Sequence, residues 1–240
     1  MPHNKRMKLT NQSVTRFAYP KRPPLTHLVM FDVDGTLVDS AGFDGALYAQ
    51  AVRELLDIDV DETWTSYRNV TDSGILEELL AQRDFGRAVE DLRSDVKRRF
   101  VELTQHYLAR HPSAVREVPG AKALVEALCA IPNVRVAVAT GGWKETASLK
   151  LNSIGLAAER LPLATASDSV ERTKIMQFAE RRAMLDLLPS RKTYFGDGAW
   201  DKRASAQLGY QFIAVGRNVE HELLFQDFND RAAVLACLAV

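Results

Sequence analysis

The sequence predicts an α/β protein in which a doubly wound, mostly parallel sheet carries an all-helical subdomain inserted after its first strand. Three observations predict it. From His27 onward, short β-favouring runs alternate with segments of helical periodicity, the signature of right-handed βαβ crossovers. One stretch, from about 41 to 116, carries helical periodicity without a convincing strand and is too long to be a loop. Finally, several of the apolar runs end abruptly in polar or charged residues, as strands do where a sheet opens on a crevice.

The elements follow in order. His27 to Phe31 reads as a buried strand that runs into Asp32 and Asp34. In "AGFDGALYAQAVRELL", Phe43, Leu47, Ala51 and Leu55 recur near helical spacing; "GILEELLAQ" and "DLRSDVKRRFVELTQHYLAR" repeat the pattern. Pro119 and Gly120 punctuate the chain, and a helix is expected through Ala130. "NVRVAVAT" is a short β-branched run ending at Thr140, "GGWKETASLKLNSIG" is helical, "LPLATAS" is a weak strand and "VERTKIMQFAERRAMLDLL" is a helix. "KTYFGDG" and "YQFIAVG" are two more apolar runs, separated by the helical "DKRASAQLG".

Bulk properties exclude several classes. At 240 residues, 46% hydrophobic and 26% charged, the chain matches an ordinary globular protein able to bury a sizeable core. Lys+Arg and Asp+Glu both total 31, so the formal charge is zero and neither nucleic acid nor an acidic membrane is an expected partner. No apolar stretch is long enough to cross a bilayer. The two cysteines, Cys129 and Cys237, lack metal-ligand spacing and read as buried reduced thiols, which favours a reducing, cytoplasmic location. Residues 1–25 contain no acidic residue, several Lys and Arg, and Pro20, Pro23 and Pro24, and are expected to form a flexible basic tail. The segment lacks the continuous apolar core of a secretory signal, although its Arg-rich, acid-poor composition is also that of a transit peptide.

The polar strand ends carry the chemistry. In an open parallel sheet ligands gather beyond the carboxyl ends of the strands, and those ends offer Asp32 with Asp34, Thr140, Ser167 with Asp168, and Asp197 with Asp201. Carboxylates crowded into one crevice repel, and their pKa values rise unless a cation is present. A hard divalent ion with oxygen ligands is therefore expected, and Mg²⁺ fits best.

"DVDGT" from Asp32, "VAVATGG" through Thr140, Gly141 and Gly142, and "YFGDGAWD" with Asp197 and Asp201 resemble, in that order, motifs one, two and four of the haloacid dehalogenase superfamily. The resemblance covers roughly the whole chain from His27. Its spacing is that of members with a helical cap inserted directly after motif one. "TDSGIL", Thr71 to Leu76, is similar to a cap stretch of phosphoglycolate-phosphatase-like members. The implied organisation is a Rossmann-like core over 26–40 and 117–240 and a helical cap over 41–116.

The resemblance implies a Mg²⁺-dependent phosphomonoester hydrolase acting on a small phosphorylated metabolite as a monomer or homodimer. Asp32 would be the nucleophile that becomes an aspartyl phosphate, and Asp34 would serve as general acid and then as general base. Thr140 and the Gly141 and Gly142 amides would hold phosphoryl oxygens at a helix start. Asp32, the main-chain carbonyl of Asp34, and Asp197 would bind the metal, with Asp201 as a ligand or an anchor. Thr36 would orient the nucleophile loop.

The third motif departs from the family's common Lys-Pro form. "SDSVERTKIMQFA" offers Arg172 and Lys174 as the cation that offsets charge between nucleophile and phosphate. Two residues apart on a helix differ by about 200° of rotation, so both face the site only if one is still in the loop. Arg172 is the preferred candidate, by its similarity to an Arg-x-x-Ile form ending here at Ile175. Trp143 and Trp200 follow motif loops, where they either line the site or pack beside strand ends. Asp72 either forms an N-capping pair with Thr71 or contacts substrate.

A phosphotransferase or mutase with the same core is the alternative activity. A non-catalytic binding protein is the third class, and it would be expected to lack one of Asp32, Asp34 or Asp197.

Overall fold

The structure is a computed structural model and describes residues 26–40, 42–185 and 187–240. The basic tail expected over 1–25 lies outside the described residues. Strand β1, His27–Phe31, is the hub of a six-stranded sheet. It pairs in parallel with β4, Val134–Ala139, on one side and β6, Arg191–Gly196, on the other. Beyond β4 lies β5, Leu163–Ala164; beyond β6 lie β7, Gln211–Val215, and β8, Leu224–Phe225. The order is β5-β4-β1-β6-β7-β8, and every pairing is parallel. The chain leaves β1 toward one edge of the sheet and returns through β6 toward the other. The switch point of this open sheet therefore lies at the end of β1, where Asp32 begins.

Alternation along β1 explains the two layers. Val29 and Phe31 face one apolar cluster, which contains Leu124, Val125 and Leu128 of α4, Ala121–Cys129, and Val234 and Leu238 of α8, Arg231–Leu238. Leu28 and Met30 face the other, built on Ile175, Met176 and Ala179 of α6, Arg172–Met184. All of these β1 residues are inaccessible to solvent, as the continuous apolar run requires of a central parallel strand. Phe31 and Phe195 stack with ring centroids 4.9 Å apart, and the Asp32 amide donates to the Phe195 carbonyl at 2.9 Å. The β1 and β6 ends are thus held side by side, one residue before Asp32 and two before Asp197.

The inserted helical block forms the cap. It comprises α1, Asp44–Leu56, α2, Asp72–Leu80, and α3, Val89–Arg110. Tyr48, Val52, Leu56, Ile75, Leu79, Leu92, Val96 and Phe100 share a core of their own, which Trp143 and Ala166 join from the sheet domain. The chain leaves and re-enters through a short antiparallel pair that helical periodicity does not reveal. In it, β2, Val38–Asp39, lies against β3, Arg116–Glu117.

Differences from the sequence reading are local. The weak strand in "LPLATAS" is confined to Leu163–Ala164. Cys129 is exposed and Cys237 partly buried, so the reading of both as buried thiols is corrected: Cys129 is the last residue of α4, at its solvent end, and Cys237 packs against the apolar cluster from its edge. Among the described residues no helix is long and apolar enough to cross a membrane.

Candidate active site

A cavity of about 990 Å³ opens between the carboxyl ends of the strands and the cap. Asp32, Asp34, Thr140, Gly141, Gly142, Arg172 and Asp197 line it from the core; Asp44, Tyr48, Trp64 and Asp72 line it from the cap side. The loop after β1 turns at Gly35, whose φ of 73° lies in the left-handed region. A Cβ there would fall 2.0 Å from Asp197 Oδ2, so the glycine also lets the two acidic loops approach.

Carboxylate oxygens of Asp32, Asp197 and Asp201 lie within 4.8 Å of one another. Burial, then the charge of Asp201, pushes the Asp32 carboxyl up, while Arg172 opposes the shift. Burial and then Asp32 push Asp197 up to about 7. The arrangement therefore holds more negative charge than its own cations offset, and the all-oxygen donor set fits a hard divalent ion. Asp201 is fully buried and already engaged: its Oδ2 accepts from the Gly198 amide at 3.1 Å, and its Oδ1 accepts from the Tyr194 hydroxyl at 3.3 Å and faces Arg172 Nη1, also at 3.3 Å. It also completes a capping box at the start of α7, Ala199–Leu208.

Arg172 begins α6 and reaches Asp32 Oδ1 at 3.2 Å through Nη1, and the Val70 carbonyl at 3.3 Å through Nη2. Lys174 does not join it. Its side chain is over half exposed and pairs with Glu171 at 2.7 Å, where the helical rotation between 172 and 174 directs it.

The remaining candidates divide. Thr140 is buried at the end of β4, and its Oγ1 accepts from the Gly142 amide at 3.2 Å. Gly141 carries little side-chain bulk where Arg172 and the Val70 carbonyl pass, 2.7 and 3.0 Å from the position a Cβ would take. Thr36 is wholly buried in the loop after β1 and does not line the cavity. Trp143 packs in the cap core, 5.8 Å from Tyr48 and 5.9 Å from Phe100 between ring centroids, and donates from its indole to Ser73. Asp72 accepts from the Trp143 amide at 2.8 Å, and desolvation followed by the Asp44 charge pushes its carboxyl up to about 8. Thr71 is the N-cap of α2, its Oγ1 accepting from the Gly74 amide at 3.0 Å. Trp200 lines the cavity. Ser167 and Asp168 do not converge with the other strand ends: Asp168 is drawn into an ion pair with Arg182 at 2.6 Å and accepts from the Thr165 amide, while Ser167 lies at the outer seam between core and cap.

Sequence reasoning misses four groups here. Asn218, in the loop after β7, donates to Asp197 Oδ2 at 2.9 Å. Ser40 donates to Asp34 Oδ1, while Asp44 in the first turn of α1 and Lys150 of α5, Lys144–Ser153, surround the other side of Asp34. Lys150 shares a helix face with Ala147 and Leu151, a face that the structure shows to be buried.

The sequence profile of the haloacid dehalogenase-like hydrolase family matches residues 29–215. No curated protein matches. Among solved structures, a hydrolase from Pseudomonas syringae is 18% identical with a TM-score of 0.68, covering 90% of this chain and 100% of its own. CbbY from Rhodobacter sphaeroides, solved in complex with phosphate, is 21% identical with a TM-score of 0.62, over 84% of this chain and 94% of that one. A variant of the same protein in complex with xylulose-(1,5)bisphosphate is 19% identical with a TM-score of 0.63, at the same coverage. At these identities the likeness concerns the fold: a core sheet with an inserted helical cap.

Proposed function

The chain belongs to the haloacid dehalogenase-like hydrolase family, and from that premise we propose that it is a Mg²⁺-dependent phosphomonoester hydrolase acting on a small phosphorylated metabolite. The single observation that carries this reading is the placement of Asp32. It is a nearly inaccessible carboxylate at the switch point of the sheet, 3.2 Å from Arg172 and within 4.8 Å of Asp197 and Asp201 oxygens, at the floor of a cavity roofed by the cap. Similar structures hold phosphate and a sugar bisphosphate, which supports a small phosphorylated ligand for the shared cavity.

The residues divide the work. Asp32 attacks phosphorus, forming an acyl phosphate as the ester oxygen departs; Arg172 neutralises charge on the nucleophile and the incoming phosphoryl group together. Asp34 acts as general acid, delivering a proton to the departing oxygen. It then takes a proton from the water that attacks the acyl phosphate, which releases inorganic phosphate and restores Asp32. Thr140 and the Gly141–Gly142 turn border the phosphoryl site at the end of β4. Asp32, Asp197 and the Asp34 carbonyl would hold Mg²⁺, with Asp201 and Asn218 fixing the ligands from behind. When bound, the ion supplies charge stabilisation for the phosphoryl oxygens. The cap excludes water from the first step and supplies the walls that meet the leaving group.

The test is phosphate release from p-nitrophenyl phosphate and from a panel of glycolate, glycerol, sugar and nucleoside monophosphates, with Mg²⁺ and with chelator. Wild type is expected to show metal-dependent release. Asp32→Asn is expected to show none and to form no acyl phosphate, and Asp34→Asn to lose on the order of 10² to 10⁴ in rate. Metal-dependent release that persists in Asp32→Asn would remove the nucleophile assignment. A wild type that yields transferred phosphoryl groups without free phosphate would indicate a phosphotransferase.

A further inference from the structure

One buried cation has no part in the scheme above. Lys150 lies on α5, wholly withdrawn from solvent, with Nζ 2.7 Å from each oxygen of Asp34 and 3.1 Å from Asp44 Oδ1. Burial disfavours an ammonium, and the Asp34 and Asp44 charges more than reverse this, so its pKa is raised. Ser40, itself buried, donates to Asp34 Oδ1 from the loop that leads into the cap. The Asp34 carboxyl group is thereby gripped from both sides: by a hydroxyl on the chain leading out of β2 and by an ammonium on the helix that follows β4. Asp44, in the first turn of α1, anchors the ammonium in turn.

A general acid acts only when its proton is aimed at the leaving oxygen within hydrogen-bond reach, and a lone aspartate on a strand-end loop has rotational freedom about two bonds. We infer that Lys150 is a positioning residue for phosphoryl transfer, fixing the carboxyl group of Asp34 toward the leaving-group side of the cavity with Asp44 as its counter-anchor. The inference rests on the phosphatase reading and assigns Lys150 no contact with substrate. Its consequence is selective: an alkoxide leaves poorly without a proton, whereas p-nitrophenolate leaves without one. A lysine that merely tied α5 to α1 would affect both substrates alike.

The experiment compares kcat/KM, which reports phosphorylation of Asp32, for p-nitrophenyl phosphate and for the alkyl monoester that wild type hydrolyses fastest in the panel. Lys150→Met is expected to lose on the order of 10²-fold toward the alkyl ester and less than about fivefold toward the aryl ester. Because an unpaired carboxylate in a buried pair is costly, the double variant Asp44→Asn/Lys150→Gln removes both charges together and serves if the single variant does not fold. It is expected to show the same selectivity, and Lys150→Arg is expected to recover part of the alkyl activity. Equal losses on both esters, or no loss on either, would overturn the inference while leaving the phosphatase reading intact. Absence of phosphate release from wild type on every substrate would instead overturn that reading, and the role of Lys150 with it.

Discussion

The guanidinium of Arg172 stands 3.2 Å from the carboxylate of Asp32 across the strand ends, on a side chain that is 10% exposed. The contact joins the first residue of α6 to the first residue beyond β1. Of the two cations near the start of α6, Arg172 is the one beside Asp32, because Lys174 turns outward to Glu171.

Arg172→Ala is therefore expected to lower kcat on the order of 10² to 10³, since it removes the cation beside Asp32, the proposed nucleophile, where charge would accumulate in transfer. Lys174→Ala should stay within about twofold, as expected of an exposed ion pair. Arg172→Lys should recover little, because a shorter side chain ending in a single ammonium lacks the planar fork that sets Nη1 against Asp32 and Asp201 while Nη2 meets the Val70 carbonyl. Steady-state kinetics of the three variants decide the matter; equal mild effects at both positions would remove Arg172 from the site.

Asn218 makes the next prediction, because it touches the candidate metal site through one ligand only. Its Nδ2 donates to Asp197 Oδ2 at 2.9 Å and orients that carboxylate. Outer-shell partners of this kind are worth about 10- to 100-fold in metal affinity. Asn218→Ala should raise the Mg²⁺ concentration for half-maximal activity by that factor, with little change in kcat at saturating metal. A metal titration that superimposes on wild type would show that Asp197 needs no such support.

How far the sequence exposes this site depends on where each residue sits. Asp32, Thr140 and Asp197 are legible because each directly follows an apolar strand, and the fold brings those strand ends together; Asp201 is legible only through its spacing from Asp197, since it lies in the first turn of α7. Asn218 lies in a loop with no periodicity to mark it. Lys150 is masked by its own helix: a lysine beside Leu151 reads as a solvated charge, and only the fold shows that the face is buried against Asp34 and Asp44. Trp143 illustrates the converse. Its position after the Thr140 loop is compatible with either a cavity wall or packing beside the strand end, and its ring is drawn into the cap core by Tyr48 and Phe100, contacts far away in sequence. The β2–β3 pair and β8 are two-residue strands set by tertiary contact, too short for any alternation to show.

The last prediction lies away from the cavity, at the start of β1. His27 is 6% exposed; its Nε2 is 2.9 Å from Thr193 Oγ1 and its Nδ1 has no hydrogen-bond partner. Burial, then the nearby Arg191 charge, lowers its pKa from 6.5 to about 4. A depressed folded-state pKa means that the unfolded chain binds the extra proton first. The stabilisation is present above pH 6.5 and lost as pH falls toward 4, by at most about 3 kcal/mol over the window. Other groups titrate in the same range with the opposite sign, Asp72 among them, so the informative quantity is the difference between two proteins. His27→Gln keeps an amide able to meet Thr193 and cannot take up the proton. Urea midpoints measured from pH 7 to pH 4 should fall more steeply for wild type than for His27→Gln, and the two curves should converge as the histidine protonates. Parallel curves would mean that His27 takes up its proton over the same pH range folded and unfolded, and would remove the depressed pKa.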